Sequence, residues 1–81
     1  MQEQDFVALF KRAAFEVESR RFETIEMDAP LAKLELNSVA VMEIIGFVED
    51  ELKLRFADED LARVTTLRDL LNLVQRARSA A

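Results

Sequence analysis

Residues 34–53 read LELNSVAVMEIIGFVEDELK, and this stretch decides the fold. Its apolar residues recur at spacings of three and four, which predicts an amphipathic α-helix that begins at Asn37 or Ser38 and ends near Lys53. Asn is among the residues preferred at a helix N-cap. The hydroxyl of Ser38 would then lie in the first turn, beside free backbone N–H groups and the positive end of the helix dipole. A phosphate ester is favoured at such a position.

This helix is predicted to present two different faces. The inner stripe, which is expected to pack into the core, consists of Val41, Ile44, Ile45, Val48 and Leu52. The outer face mixes apolar and acidic residues and consists of Val39, Met42, Glu43, Gly46, Glu49 and Asp50. Most surface helices have a plainly polar outer face. The mixture indicates either a contact surface, with carboxylates for steering, or burial of Val39 and Met42 under the preceding loop.

Gly46 is unusual because it interrupts this helix. A Gly inside a helix costs about 1 kcal/mol relative to Ala. Its missing side chain would allow either close packing of a neighbouring element or room for a side chain of a partner protein.

One further helix and a loop are predicted before this stretch. Helix I runs from about Gln4 to Arg20. Its apolar stripe at helical spacing consists of Phe6, Leu9, Phe10, Ala13 and Val17. Residues 21–36 lose the period and contain Asp28 and Pro30, which is typical of a loop. A loop of this length is uncommon in a compact domain and usually has a functional cause.

Two helices are predicted after residues 34–53. Asp58 opens an acidic helix of one or two turns, and Thr66 with Asp69 resembles the capping box of a final helix. With one Gly and one Pro in 81 residues, turn-forming residues are too scarce for a sandwich or barrel. We therefore expect one all-α domain spanning residues 1–81. It would be a four-helix bundle with three longer helices, a short third helix and a long loop between helices I and II.

The composition disfavours most catalytic chemistry. The chain has no Cys and no His, so it lacks thiolate zinc ligands, a redox pair, and the commonest general base and metal ligand. An enzyme would have to use carboxylates in a pocket that so small a bundle is not expected to form. The three carboxylates of residues 58–60 stand at a helix start, where they more often complement the dipole than bind a cation. We expect neither an enzyme nor a metal site.

The charge balance narrows the class of partner. A net charge of -5 disfavours binding to nucleic acid, which needs clustered basic residues, and favours encounter with a basic patch on a protein. No apolar run approaches the roughly 18 residues that would span a bilayer. Residues 1–5 are polar and acidic, unlike a signal peptide. The sequence therefore predicts a cytoplasmic monomer that binds neither nucleic acid nor membrane.

The order of motifs from Leu31 to about Val74 resembles that of acyl carrier proteins, the phosphopantetheine-binding carriers of fatty acid, polyketide and nonribosomal peptide synthesis. The family has a Gly-x-Asp-Ser-Leu run, then a Glu, an acidic helix end, an Ile-Pro-like step and a Thr-led final helix. In this chain Asn37-Ser38-Val39 stands where the family has Asp-Ser-Leu. The later steps of the order are matched by Glu43, Glu49-Asp50-Glu51, Phe56-Ala57 and Thr65-Thr66-Leu67.

The resemblance implies that Ser38 carries 4′-phosphopantetheine, installed by a phosphopantetheinyl transferase that uses coenzyme A, with Asn37 capping the helix beside it. The thiol of the arm would hold acyl groups as thioesters in polyketide, fatty acid or related biosynthesis. Acyl-processing enzymes with basic docking patches would dock on Val39, Met42, Glu43, Gly46, Glu49 and Asp50. The alternative is a small helical protein–protein interaction module without a prosthetic group, in which Ser38 is a simple helix-start serine.

Three residues depart from the family pattern. Glu35 replaces the usual Gly, so the approach to Ser38 is expected to be less flexible and more acidic, and Val39 replaces Leu with a loss of apolar area. Asn37 replaces Asp, which keeps the cap but removes a negative charge beside the serine. Some carriers with specialised roles, particularly in polyketide pathways, resemble this Asn-Ser form. The departures favour a specialised carrier over the housekeeping carrier of fatty acid synthesis.

Overall fold

Four α-helices and one 3-10 helix make up the computed structural model, which describes the backbone of residues 1–80 and the side chains of residues 1–79. The α-helices are α1 (Glu3–Glu18), α2 (Ser38–Leu52), α3 (Asp58–Leu61) and α4 (Leu67–Ala80). The 3-10 helix, Leu31–Leu34, lies in the long loop between α1 and α2. Three long helices and one short third helix confirm the predicted all-α architecture. No described helix is long and apolar enough to cross a membrane.

The end of α1 differs from the prediction, which placed it near Arg20. Ser19 adopts a left-handed conformation with φ 54°, and its backbone N–H donates to the carbonyl of Phe15 at 3.0 Å. The N–H of Arg20 donates to the carbonyl of Ala14 at 3.2 Å. These bonds form a C-terminal capping pattern of the Schellman type. The helix therefore stops at Glu18, and Arg20 lies beyond it.

The core lies where α1, α2 and α4 meet. Its largest fully buried side chains are Phe6, Phe10, Ile44, Val48, Leu67, Leu70 and Val74. Those of α1 and α2 belong to the apolar stripes that the periodicity predicts. Ala14 and Ala40, which lie outside those stripes, are buried as well. Val41 and Leu52 are only partly buried and mark the edges of the α2 stripe.

The long loop is fastened to the start of α4. The N–H of Leu31 donates to the carbonyl of Thr65 at 2.8 Å, and the N–H of Arg68 donates to the carbonyl of Met27 at 2.9 Å. The Arg68 guanidinium also hydrogen-bonds the Asp28 carboxylate, which lowers the pKa of Asp28 below its ordinary value. Met27 and Leu31 are buried beneath these bonds. The loop is thus a fixed part of the bundle.

A reciprocal pair of hydrogen bonds begins α4. The N–H of Asp69 donates to Thr66 Oγ1 at 3.1 Å, and the N–H of Thr66 donates to Asp69 Oδ2 at 3.1 Å. The backbone N–H and the hydroxyl of Thr65 also donate to this carboxylate, and together these bonds lower the pKa of Asp69. The predicted capping box, with Asp in place of Glu or Gln, is confirmed.

Candidate functional site at the start of α2

Ser38 is the first residue of α2, and its side chain is exposed. The N-cap is Asn37, whose Oδ1 accepts a hydrogen bond from the N–H of Ala40 at 2.8 Å. The carbonyl of Asn37 accepts from the N–H of Val41 at 3.0 Å. The N–H groups of Ser38 and Val39 find no acceptor in the described part of the chain. They leave the positive end of the helix dipole open beside the Ser38 hydroxyl.

A strained turn leads into this helix start. Glu35 ends the Leu31–Leu34 helix with φ 58° and ψ 37°, the left-handed region in which only Gly escapes a steric penalty. The Arg20 guanidinium donates to the carbonyl of Leu34 at 3.0 Å and to that of Glu35 at 3.4 Å. It also lies over the ring of Phe22, 5.2 Å from the centroid. Arg20 therefore ties the turn before Ser38 to the end of α1.

The outer face of α2 is open to solvent. Val39 is 65% exposed and Met42 is 49% exposed, so the preceding loop does not cover them. Glu43 and Asp50 are exposed beside them. A Cβ added to Gly46 would meet no atom within 4 Å, so the close-packing interpretation of this glycine is wrong and the space above it is free. The exposed residues combine apolar surface with carboxylates along one side of the helix.

Glu49 differs from the other residues predicted for this face. Its side chain is only 12% exposed, and its Oε2 accepts a hydrogen bond from the N–H of Phe56 at 2.8 Å. Arg55 lies 3.8 Å from the same carboxylate. The charge of Glu49 therefore stabilises the connection between α2 and α3 and is not free for a partner.

Sequence reasoning missed two charged residues near the site, Glu18 and Arg20. Desolvation and the nearby Glu43 carboxylate raise the pKa of the Glu18 carboxyl above its ordinary value, and Arg20 opposes this effect. The acidic surface beside Ser38 thus extends from α2 to the last residue of α1. No local signal could have found this pairing, because it depends on how α1 packs against α2.

The family relationship follows from a match over most of the chain. Residues 14–74 match the family model described as "Phosphopantetheine attachment site", and the chain belongs to this family. Its members carry 4′-phosphopantetheine covalently on a serine. No curated protein matches the sequence.

Two solved structures have the same fold. An acyl carrier protein from Thermotoga maritima matches with a TM-score of 0.88 and 26% identity, covering 95% of this chain and 91% of that one. The 5-phenyl-3-oxo-pentyl actinorhodin acyl carrier protein from Streptomyces coelicolor matches with a TM-score of 0.77 and 24% identity, covering 100% of this chain and 95% of that one. The chain is a carrier protein with a phosphopantetheine arm, not an enzyme, and it works with a phosphopantetheinyl transferase and acyl-processing enzymes.

The Asn37 cap predicts a measurable effect on stability. Asn37→Ala removes the acceptor of the Ala40 N–H and is expected to lower the free energy of unfolding by about 1 kcal/mol. Asn37→Asp keeps an acceptor and serves as the matched control, with a stability close to that of the unchanged chain. Urea unfolding followed by far-UV circular dichroism measures both. Equal stability of Asn37→Ala and the unchanged chain would mean that this cap contributes nothing.

The strained turn predicts a stabilising substitution. Glu35→Gly places in the left-handed conformation the one residue that adopts it freely, and is expected to raise the free energy of unfolding by about 0.5–1 kcal/mol. Ala32→Gly, in the same turn but without a positive φ, is the control and is expected to be destabilising. The same urea titration measures the free energy of unfolding of both variants. A loss of stability in Glu35→Gly would contradict the strain.

Proposed function

We propose that Ser38 is the serine that carries the phosphopantetheine arm. Within the matched residues 14–74 the chain has two serines, Ser19 and Ser38. Ser19 caps the C-terminus of α1, where the helix dipole is negative and carbonyl oxygens would face an anionic phosphate. Ser38 stands exposed at the N-terminus of α2. This contrast between the two helix ends is the observation that carries the proposal.

The proposed attachment is a phosphoryl transfer to the Ser38 hydroxyl. Its Oγ forms a bond to the phosphorus of the phosphopantetheinyl group of coenzyme A, the pyrophosphate P–O bond breaks, and 3′,5′-ADP leaves while the hydroxyl proton is released. The phosphodiester that results is anionic, and the free N–H groups of Ser38 and Val39 favour it there. The transferase supplies the catalytic groups. This chain supplies an accessible hydroxyl at a fixed position.

The outer face of α2 is the proposed docking surface for the transferase and for acyl-processing enzymes with basic patches. The exposed apolar side chains of Val39 and Met42 would supply contact area, and the carboxylates of Glu43 and Asp50 would steer the encounter. The open space at Gly46 would receive a partner side chain. The Glu18 carboxylate would add to this acidic surface.

The pathway and setting are also part of the proposal. The Asn37-Ser38 form supports a specialised carrier, in polyketide or related biosynthesis, over the carrier of fatty acid synthesis. We also propose that the domain, residues 1–81, is a monomer without membrane association. Its proposed location is the cytoplasm, because coenzyme A and the transferase that uses it are intracellular. The charge balance of -5 supports protein partners with basic surfaces.

Incubation with coenzyme A and a permissive phosphopantetheinyl transferase tests the attachment residue. Intact-protein mass spectrometry is expected to find one phosphopantetheinyl group on the unchanged chain and none on Ser38→Ala, because only that variant lacks the nucleophile. Ser79→Ala, which removes another exposed serine, is the control and should be labelled fully. Circular dichroism checks that each variant is folded. Labelling of Ser38→Ala, or none of the unchanged chain under broad conditions, would contradict the proposal.

The docking surface is tested by the rate of the same labelling reaction. Glu43→Lys reverses a charge on the outer face and is expected to lower kcat/KM by roughly tenfold, mainly through KM, because it weakens association and not the chemistry. Glu59→Lys makes the same change in net charge on the exposed start of α3 and is the matched control. If the two variants slow the transferase equally, overall charge and not the α2 face governs the encounter.

A further inference from the structure

We propose that α1 carries a second docking surface, which takes an acidic segment of a partner protein with an apolar side chain among its carboxylates. This surface, called here the α1 patch, consists of Lys11, Arg12, Phe15, Arg21 and Phe22. It stands on observations separate from those at Ser38, and it differs from the outer face of α2 in the sign of its charge.

Phe15 is the apolar centre of the α1 patch. It lies outside the core stripe of α1 and is 43% exposed, which is unusual for the largest type of apolar side chain in this protein. The guanidinium of Arg21 lies over its ring, 4.5 Å from the centroid. This cation–π contact holds an aromatic ring and a positive charge together on the surface. Aromatic and Arg side chains are the types that most often dominate the energy of protein interfaces.

Most of the charged side chains that line the groove around Phe15 are cations. The groove is open to solvent and has a volume of about 680 Å³, and its charged side chains are those of Lys11, Arg12, Arg21 and Glu23. Neither Lys11 nor Arg21 forms an ion pair with a carboxylate in the described part of the chain. Lys11 Nζ instead donates to the backbone carbonyl of Glu23. Two positive charges therefore remain available to a partner.

Arg12 fixes one edge of the α1 patch against α2. Its guanidinium forms an ion pair with Glu51 and lies 5.4 Å from the ring centroid of Phe47. These contacts join the α1 patch to the flank of α2 that bears Phe47 and Glu51. The exposed aromatic side chain of the patch is Phe15, whereas the exposed apolar side chains of the α2 face are Val39 and Met42.

The charge of the α1 patch selects its partner. The Arg12–Glu51 ion pair is neutral. Lys11 and Arg21 outnumber the one carboxylate that lines the groove, Glu23. In a chain with a net charge of -5, this positive balance is a local reversal of sign. A basic enzyme surface of the kind proposed for the α2 face would be repelled here. An acidic segment would be attracted, and an aromatic or aliphatic side chain from it would cover the exposed ring of Phe15. Charge complementarity therefore identifies an acidic protein segment as the occupant.

Peptide titration of isotope-labelled protein, followed by amide chemical shifts, tests the α1 patch. The probes are a short glutamate-rich peptide with a single phenylalanine and its lysine-rich counterpart. The acidic peptide is expected to shift amides around Phe15 and Arg21, and the basic peptide is expected to shift amides of the α2 face. Phe15→Ala and Arg21→Glu should each lower the affinity for the acidic peptide by about fivefold or more. Arg63→Glu, an exposed Arg away from the patch, is the matched control and should change affinity little.

Several results would overturn the proposal. One is an acidic peptide that shifts no amide of the α1 patch. Another is a loss of affinity for this peptide in Arg63→Glu that equals the loss in Phe15→Ala and Arg21→Glu. Patch shifts caused by phosphatidylglycerol vesicles but not by the peptide would identify a membrane surface as the occupant. Patch shifts on dilution of the protein alone would identify a second copy of the chain. Because the titration can be done on Ser38→Ala, its result does not depend on whether Ser38 is the attachment residue.

Discussion

Burial of the inner side of α2 is the constraint on which the rest of this structure depends. Ile44 and Val48 are fully buried in one apolar cluster with Phe6, Phe10 and Leu70. Each such side chain contributes about 1.5–3 kcal/mol on transfer from water, which is large beside the few kcal/mol of net stability expected of a domain this small. Because α2 is held by this face, its helical period sends the opposite face to solvent. The exposure of Val39 and Met42 is thus a consequence of core packing.

The helix start is held by contacts that differ in kind from those of the core. Asn37 satisfies one N–H of the first turn, while Arg20 binds the carbonyls of Leu34 and Glu35 from the end of α1. Glu35 accepts a left-handed conformation that is unfavourable for a residue with a side chain. The polar contacts around Glu35 maintain that conformation. The turn before Ser38 is therefore fixed, and so is the position of the Ser38 hydroxyl at the surface of the bundle.

The parts of this architecture that depend on local sequence were predictable, and the parts that depend on packing were not. The period of the apolar residues and the N-cap preference of Asn37 predicted the bounds of α2, and the Thr66–Asp69 capping box was visible in the sequence. The hydrogen bonds of Arg20 to the carbonyls of residues fourteen and fifteen positions away were not predictable, since they depend on where α1 ends. That end is set by Ser19 in a left-handed conformation, with neither Gly nor Asn to signal it. The hydrogen bond from the N–H of Phe56 to the Glu49 carboxylate was not predictable either, because it joins two different segments.

A rigid helix that carries both the proposed attachment residue and the proposed docking residues couples docking to delivery. Glu43 lies five positions after Ser38, which is roughly 7.5 Å along the helix axis at the rise of an α-helix. An enzyme that binds the outer face of α2 would therefore hold the base of the arm at a nearly constant distance from its own surface, whatever the cargo. The length of the arm alone would then decide how deeply the acyl group enters the active site of that enzyme.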